Sequence, residues 1–370
     1  MNMKIGNSNA ATPRSAPWSG FEHGMGIGGW LTNYKRFNVL PEDKRLLITV
    51  GDLEHFDSYI TEADVTNIAS MGADHIRLGF DQIVVEEEPG RYRERTMRRL
   101  EEFASWCGKH RLNLVLNLHK AIGNYCDIEE RVKLLDDEGL QERFIKLWLE
   151  IERRFKDHTS VAFELLNEVR NVDPDRWNAL ADRAIRAIRE VNPDRWIVVG
   201  STCWNSASTL KYLKVWDDPR VVYTFHMYAP SEFTHQRGVL MAKQLAYNRS
   251  MPYPTRDVER YRDYHRFHGN DNAYEGVEAI NRDFLRSLMS GALDFIVAHP
   301  GKILWNGEFG TIRHAEKSSR VAYMRDVISI CREWGIPYCV WNYLSTPNDG
   351  NRFSLVDDDT RQPLFPVFSL

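Results

Sequence analysis

The chain has 370 residues, a net charge of −4 and 12% aromatic residues, including 11 tryptophans. That length suits one α/β barrel with loops, large enough to bury roughly three quarters of its unfolded surface without cross-links. The charge balance leaves no basic footprint for nucleic acid, and no apolar run reaches the roughly 18 residues of a membrane span.

From the N-terminus, Met1 to Gly20 is polar and rich in Ser, Asn and Pro, with no apolar signal-peptide region. It reads as a flexible leader, 1–20, ahead of a single domain, 21–370. The location expected of the chain as given is cytoplasmic, or secreted if a leader has been removed. Apolar runs then predict strands over Gly24–Ile27, Ala73–Phe80, Leu112–Leu118, Val161–Leu166, Arg195–Gly200, Val221–Phe225, Lys302–Trp305 and Pro337–Trp341. Between them, 3.6-residue periodicity predicts helices over Glu62–Met71, Met97–His110, Glu138–Phe155, Asp175–Val191, Val277–Ala298 and Ser318–Trp334. Thr61 and Asp64 cap one helix start, and Pro174 suits the first turn of another. Five scattered cysteines, with no CxxC pair and no zinc spacing, read as reduced thiols.

Eight strands alternating with helices predict a (β/α)8 TIM barrel. A doubly wound open sheet is the rival, but it would usually carry a glycine-rich phosphate turn between its first strand and a helix. The phrase Gly24-Met25-Gly26-Ile27-Gly28-Gly29 lies inside the strand and no helix follows promptly, so it is weak as a nucleotide site. Pro230 to Glu275, rich in Arg, Tyr and His, reads as a long insertion after the sixth strand, above the barrel mouth. A last short helix is expected over Leu364–Leu370.

Chemistry in a barrel sits at the C-terminal ends of the strands. Those ends carry Arg77, His119, Asn167 with Glu168, His226 with Tyr228, Glu308 and Trp341. Each alone has an ordinary structural use; their joint placement at successive strand ends points to a site. Two carboxylates, Glu168 and Glu308, leaving buried strands on different sides of a ring are the minimum for cleaving a glycosidic bond. One protonates the departing oxygen, and the other attacks or activates water. Asn167 and Glu168 are sequence neighbours and can both reach the cleft only where the strand ends or bulges.

The phrases His75-Ile76-Arg77-Leu78, Asn117-Leu118-His119, Leu166-Asn167-Glu168, Phe225-His226-Met227-Tyr228, Gly307-Glu308-Phe309-Gly310 and Val340-Trp341-Asn342 resemble glycoside hydrolase family 5, cellulase-like retaining β-glycosidases. Gly28-Gly29-Trp30-Leu31 and Phe233-Thr234-His235-Gln236 resemble it too, whereas Val169 stands where the family commonly has proline. The resemblance implies double displacement, with Glu308 as nucleophile and Glu168 as acid/base. Arg77 and Tyr228 would keep Glu308 ionised, while burial and the charge of Glu308 would raise Glu168. Asn167 would bond the sugar 2-hydroxyl, His119 another hydroxyl, and Trp341 would supply a stacking floor, with His226 coupled to Glu168 and Trp30 in support.

No cofactor and no metal is expected, and the partner is a β-linked oligosaccharide or polysaccharide of the β-glucan or β-mannan type. A metal-dependent hydrolase is a rival, because His119, His226 and two glutamates share the mouth, though no HExxH or His-x-His spacing appears. A non-catalytic carbohydrate-binding protein is the other. With no export signal and a bulky segment over the mouth, action on short imported oligosaccharides, as an exo-acting β-glycosidase, stands as the alternative to internal cutting.

Overall fold

The computed structural model describes residues 12–370 apart from 36, 38, 39, 129, 130, 347 and 348. Eight parallel strands close into a barrel: β1 (His23–Leu31), β2 (His75–Asp81), β3 (Asn113–Lys120), β4 (Val161–Glu164), β5 (Ile197–Gly200), β6 (Val221–Met227), β7 (Ile303–Phe309) and β8 (Tyr338–Val340). Each pairs with its sequence neighbours and β8 closes on β1. The open-sheet rival is excluded by that closure.

The outer helices lie where periodicity predicts them: α1 (Glu62–Ser70), α2 (Glu94–Lys109), α3 (Glu138–Phe155), α4 (Pro174–Val191), α5 (Ser290–Ala298) and α6 (Lys317–Trp334). Thr61 and Asp64 form a reciprocal capping box at α1, and the Asp173 side chain caps α4 ahead of Pro174. On α2, Met97, Leu100, Phe103, Ala104 and Cys107 make one buried stripe against the barrel. The helix predicted over Val277–Ala298 is instead two, Arg282–Leu288 and α5, meeting at Met289. Gly291, at the start of α5, abuts the backbone of Ala207, where a side chain would clash. The tail ends in a single 3-10 turn, Val367–Ser369, in place of a full helix.

The described part of the segment read as a leader, 12–20, packs on the barrel. Residues 1–11 lie outside the described residues, but Ser15 and Ala16 donate backbone hydrogen bonds to Trp334 and Lys302. Trp18 is buried against Phe21 and Trp305, with Val115, Ala162, Val198 and Val222 from four strands. An indole from ahead of β1 therefore seals the lower end of the barrel, because eight strands leave an interior that side chains must fill.

Glycine in β1 has a packing purpose. Gly24, Gly26 and Gly28 share the inward face; a side chain at Gly24 would strike the ring of His75. At Gly26 and Gly28 it would come within 2.7 and 2.6 Å of the indole of Trp341. The glycine-rich phrase thus makes room for rings and holds no phosphate turn.

The segment from Pro230 to Glu275 is ordered around short helices, Ser231–Thr234, Ala242–Tyr247 and Glu259–Phe267. It is pinned to α6 by Tyr253, whose hydroxyl donates to Asp326 at 2.5 Å, and internally by Glu232, which accepts from His265 and Tyr274. No helix among the described residues is long and apolar enough to cross a membrane.

Candidate active site

β4 ends at Glu164, so Leu165 to Glu168 leave the strand in an irregular stretch. That early end lets the neighbours Asn167 and Glu168 both turn toward the mouth. In β7 the problem recurs, since Trp305 fills the barrel and Glu308 the mouth, three residues apart and so on opposite faces of a regular strand. A register shift solves it: Phe225 pairs with Asn306, but His226 pairs with Glu308, leaving Gly307 as the extra residue.

Arg77 organises what converges there. Its Nε and Nη2 donate to Glu164 at 2.6 and 2.8 Å, Nη2 also to Asn167 Oδ1 at 2.6 Å, and Nη1 to Glu308 Oε1. Burial opposes its charge, and Glu164 and Glu308 more than restore it. The second oxygen of Glu308 accepts the Tyr228 hydroxyl at 2.8 Å. Burial, Glu308 and Glu168 hold that phenol far above its ordinary range, so it stays a donor.

Among the described residues, Glu168 has no such cation in contact. His226 Nδ1 lies 2.8 Å from its Oε1 and 3.8 Å from Glu308 Oε2. Burial pushes Glu168 up to about 8, against the pull of Arg77, although 17% of its side chain is still open to solvent. From sequence the charge of Glu308 was expected to add to burial, but the anions that do so are Glu164 and Asp127; Glu308 already meets Arg77 and Tyr228. Two chemically identical side chains thus sit in opposite settings, one saturated with donors and one protonated near neutrality.

One oxygen of each carboxylate and a ring nitrogen of His226 all fall within 4.8 Å of one another. Among the described residues these three could hold a cation, but Arg77 already supplies the positive charge on Glu308. Burial pushes His226 down to about 4, so the ring is neutral over the ordinary pH range.

Around the pair, Trp341 is 9% exposed and its indole stacks on His119, with centroids 5.6 Å apart and planes 12° from parallel. The His119 Nδ1 meets Asn117 Oδ1 at 2.9 Å, and its Nε2 meets the amides of Asn33 and Asn167 at 3.1 and 3.4 Å. Trp30 is a correction. It is 0% exposed, donates its indole N–H to Phe56 at 2.9 Å and packs on Phe103, so it belongs to the core and offers a sugar nothing.

Sequence reasoning missed Glu164, whose signal was a lone carboxylate inside the apolar run Val161-Ala162-Phe163-Glu164-Leu165. It also missed Asn33, which bridges His119 to the buried ammonium of Lys120 at 2.5 Å, and Asn205, which donates to the backbone of Asn167 at 2.6 Å. Both asparagines stand in loops where nothing in sequence marks them.

A family model for cellulase (glycosyl hydrolase family 5) matches residues 48–346. Endoglucanase C of Acetivibrio thermocellus is 35% identical over 331 residues, 87% of this chain and 91% of the relative. Cellodextrinase A of Ruminococcus flavefaciens is 36% identical over 222 residues, 59% of this chain and 61% of the relative. Among solved structures, Cel5A of Thermotoga maritima, as a mutant form with cellobiose, superposes with a TM-score of 0.69 at 22% identity, covering 95% of this chain and 96% of that one. The cellulose synthase subunit Z of Clostridioides difficile also gives 0.69, at 18% identity over 94% of this chain and 98% of that one. At those identities the two structures speak to the fold alone.

Proposed function

The chain belongs to glycosyl hydrolase family 5, the cellulase family of retaining β-glycoside hydrolases, and from that premise we propose that Glu308 is the nucleophile and Glu168 the acid/base. One observation carries the assignment. The two carboxylates approach within 4.8 Å, yet only Glu308 is held by a cation and a phenol, while Glu168 is pushed up to about 8. That spacing fits the roughly 5–5.5 Å of retaining enzymes and not the roughly 6.5–9.5 Å that an inverting water needs.

In the first step a Glu308 oxygen forms a bond to the anomeric carbon as the bond to the leaving oxygen breaks, and Glu168 gives that oxygen its proton. In the second, water attacks the same carbon, Glu168 takes the water proton, and Glu308 departs as carboxylate. Asn167 presents its amide N–H groups beside the reacting centre, its carbonyl being occupied by Arg77. Trp341, lying over the glycine face of β1, offers a flat apolar surface for a pyranose ring.

The substrate is a β-linked glucan cut internally. Likeness to Endoglucanase C over most of both chains supports endo action over the exo alternative weighed from sequence. Activated aryl β-glycoside offered to Glu168→Ala with azide tests the roles, with a β-glycosyl azide expected; Glu308→Ala should yield none. Proton NMR of the wild-type reaction should show the β-anomer first, and an α-anomer would overturn the scheme. Random internal cuts in a tetra- to hexasaccharide ladder are expected, and stepwise release from one end would restore exo action.

A further inference from the structure

We propose that Asn205 is a positioning residue that fixes the tautomer of His226 and thereby decides which oxygen of Glu168 carries the transferable proton; this rests on Glu168 being the acid/base. Past β5 the chain takes three consecutive left-handed residues, Cys203, Trp204 and Asn205, with φ of 55°, 55° and 56°. Such a run is unfavourable for side chains with a Cβ. It turns the Asn205 side chain inward to 0% exposure, into space left by Gly200, where any Cβ would collide with the amide. The turn is braced from outside by the Trp204 indole N–H, which donates to the Cys126 carbonyl at 3.0 Å.

The orientation of the amide follows from its partner. Asn205 lies 2.6 Å from the backbone oxygen of Asn167, which can only accept, so the atom facing it is the nitrogen Nδ2. That same Nδ2 is 3.3 Å from His226 Nε2. A ring nitrogen facing an N–H group must offer its lone pair, so the one proton of the neutral ring lies on Nδ1. Nδ1 in turn points at Glu168 Oε1, 2.8 Å away.

The consequence is a choice of oxygen. With Nδ1 as donor, Oε1 of Glu168 accepts, and its own proton stands on Oε2, free to reach a glycosidic oxygen. In the opposite tautomer Nδ1 would accept, and the Glu168 proton would be tied on Oε1 to the histidine. Asn205 touches neither substrate nor reacting atoms; it works through His226.

The test reads the tautomer and the proton step separately. In enzyme carrying 15N-histidine, with His226→Gln used only to assign the resonance, the wild-type His226 is expected to show a bare Nε2 and a protonated Nδ1. In Asn205→Asp the new carboxylate accepts from Nε2, and the tautomer inverts. That variant should lose about 10- to 100-fold in kcat/KM on cello-oligosaccharides, whose leaving group needs a proton. On a 2,4-dinitrophenyl glycoside, whose leaving group does not, its glycosylation rate should stay within about twofold. A wild-type His226 protonated on Nε2 overturns the proposal without any variant having to fold. Equal losses on both substrates with the wild-type tautomer retained also overturn it. If Glu168→Ala forms no azide product, the parent assignment fails instead, and the tautomer result still stands by itself.

Discussion

Two arginines are buried in this barrel against glutamates, and they do different things. Arg195, ahead of β5, places Nε and Nη2 on Glu152 of α3 at 2.7 and 3.1 Å. Its remaining N–H groups go to the backbone oxygens of Phe155, His158 and Val161. Arg77 makes the same two-pronged contact with Glu164, but its remaining N–H groups go to Asn167 and Glu308. One pair is closed by main chain and ties a helix to a strand. The other is left with one more anion than cation, and the surplus carboxylate is the one assigned to attack. A buried ion pair reveals little by its existence; where its spare donors point distinguishes a brace from a site.

Arg77→Met is expected to have the largest effect. It leaves Glu164 and Glu308 facing each other without a cation, and kcat/KM should drop about 10²- to 10³-fold, the scale for losing one preorganised electrostatic partner. Steady-state kinetics on a cellodextrin would check it, and an unchanged rate would erase the distinction between the two arginines. Arg195→Met should instead cost about 3–5 kcal/mol of stability by stranding Glu152, with kcat/KM per folded molecule unaltered. Chemical denaturation paired with active-site titration separates those readouts. Adding Glu152→Leu to Arg195→Met should bring stability back to within about 2 kcal/mol of wild type. The matching pair Glu164→Leu with Arg77→Met should recover stability but no turnover.

The smallest effect is in pH. As the proposed acid, Glu168 has to be protonated for the first step and is pushed up to about 8, so kcat/KM should fall as pH rises through that value. Between 4.5, where the carboxyl ordinarily titrates, and about 8, the folded chain keeps a proton that the unfolded chain has lost. The contribution is fully present below the lower value, and stability declines across the window. Glu168→Gln should flatten both the basic limb and that slope.

The eight strands were legible because each is a short apolar run bounded by turns, and the helices because a buried stripe recurs every 3.6 residues. All eight strand-end residues singled out from sequence, Trp341 among them, meet around one cleft, whereas Trp30 does not. Sequence could not tell Trp341 from Trp30, since both are tryptophans beside a strand end; the fold separates them, with Trp341 packed on the glycine face of β1 and still partly open while Trp30 is closed in the core. Glu164 was hidden by its neighbours, reading as one more residue of an apolar strand. Asn205 was invisible, because its place depends on a left-handed turn that no local propensity favours.

Trp18 seats itself among the lowest residues of the barrel, at the end opposite the chemistry. Trimming the chain back to Phe21 for convenience would keep each reacting group in register, yet leave an indole-sized hole in the base. Robustness to heat and speed of turnover are governed from opposite poles of this molecule, so an engineer could harden the one without blunting the other.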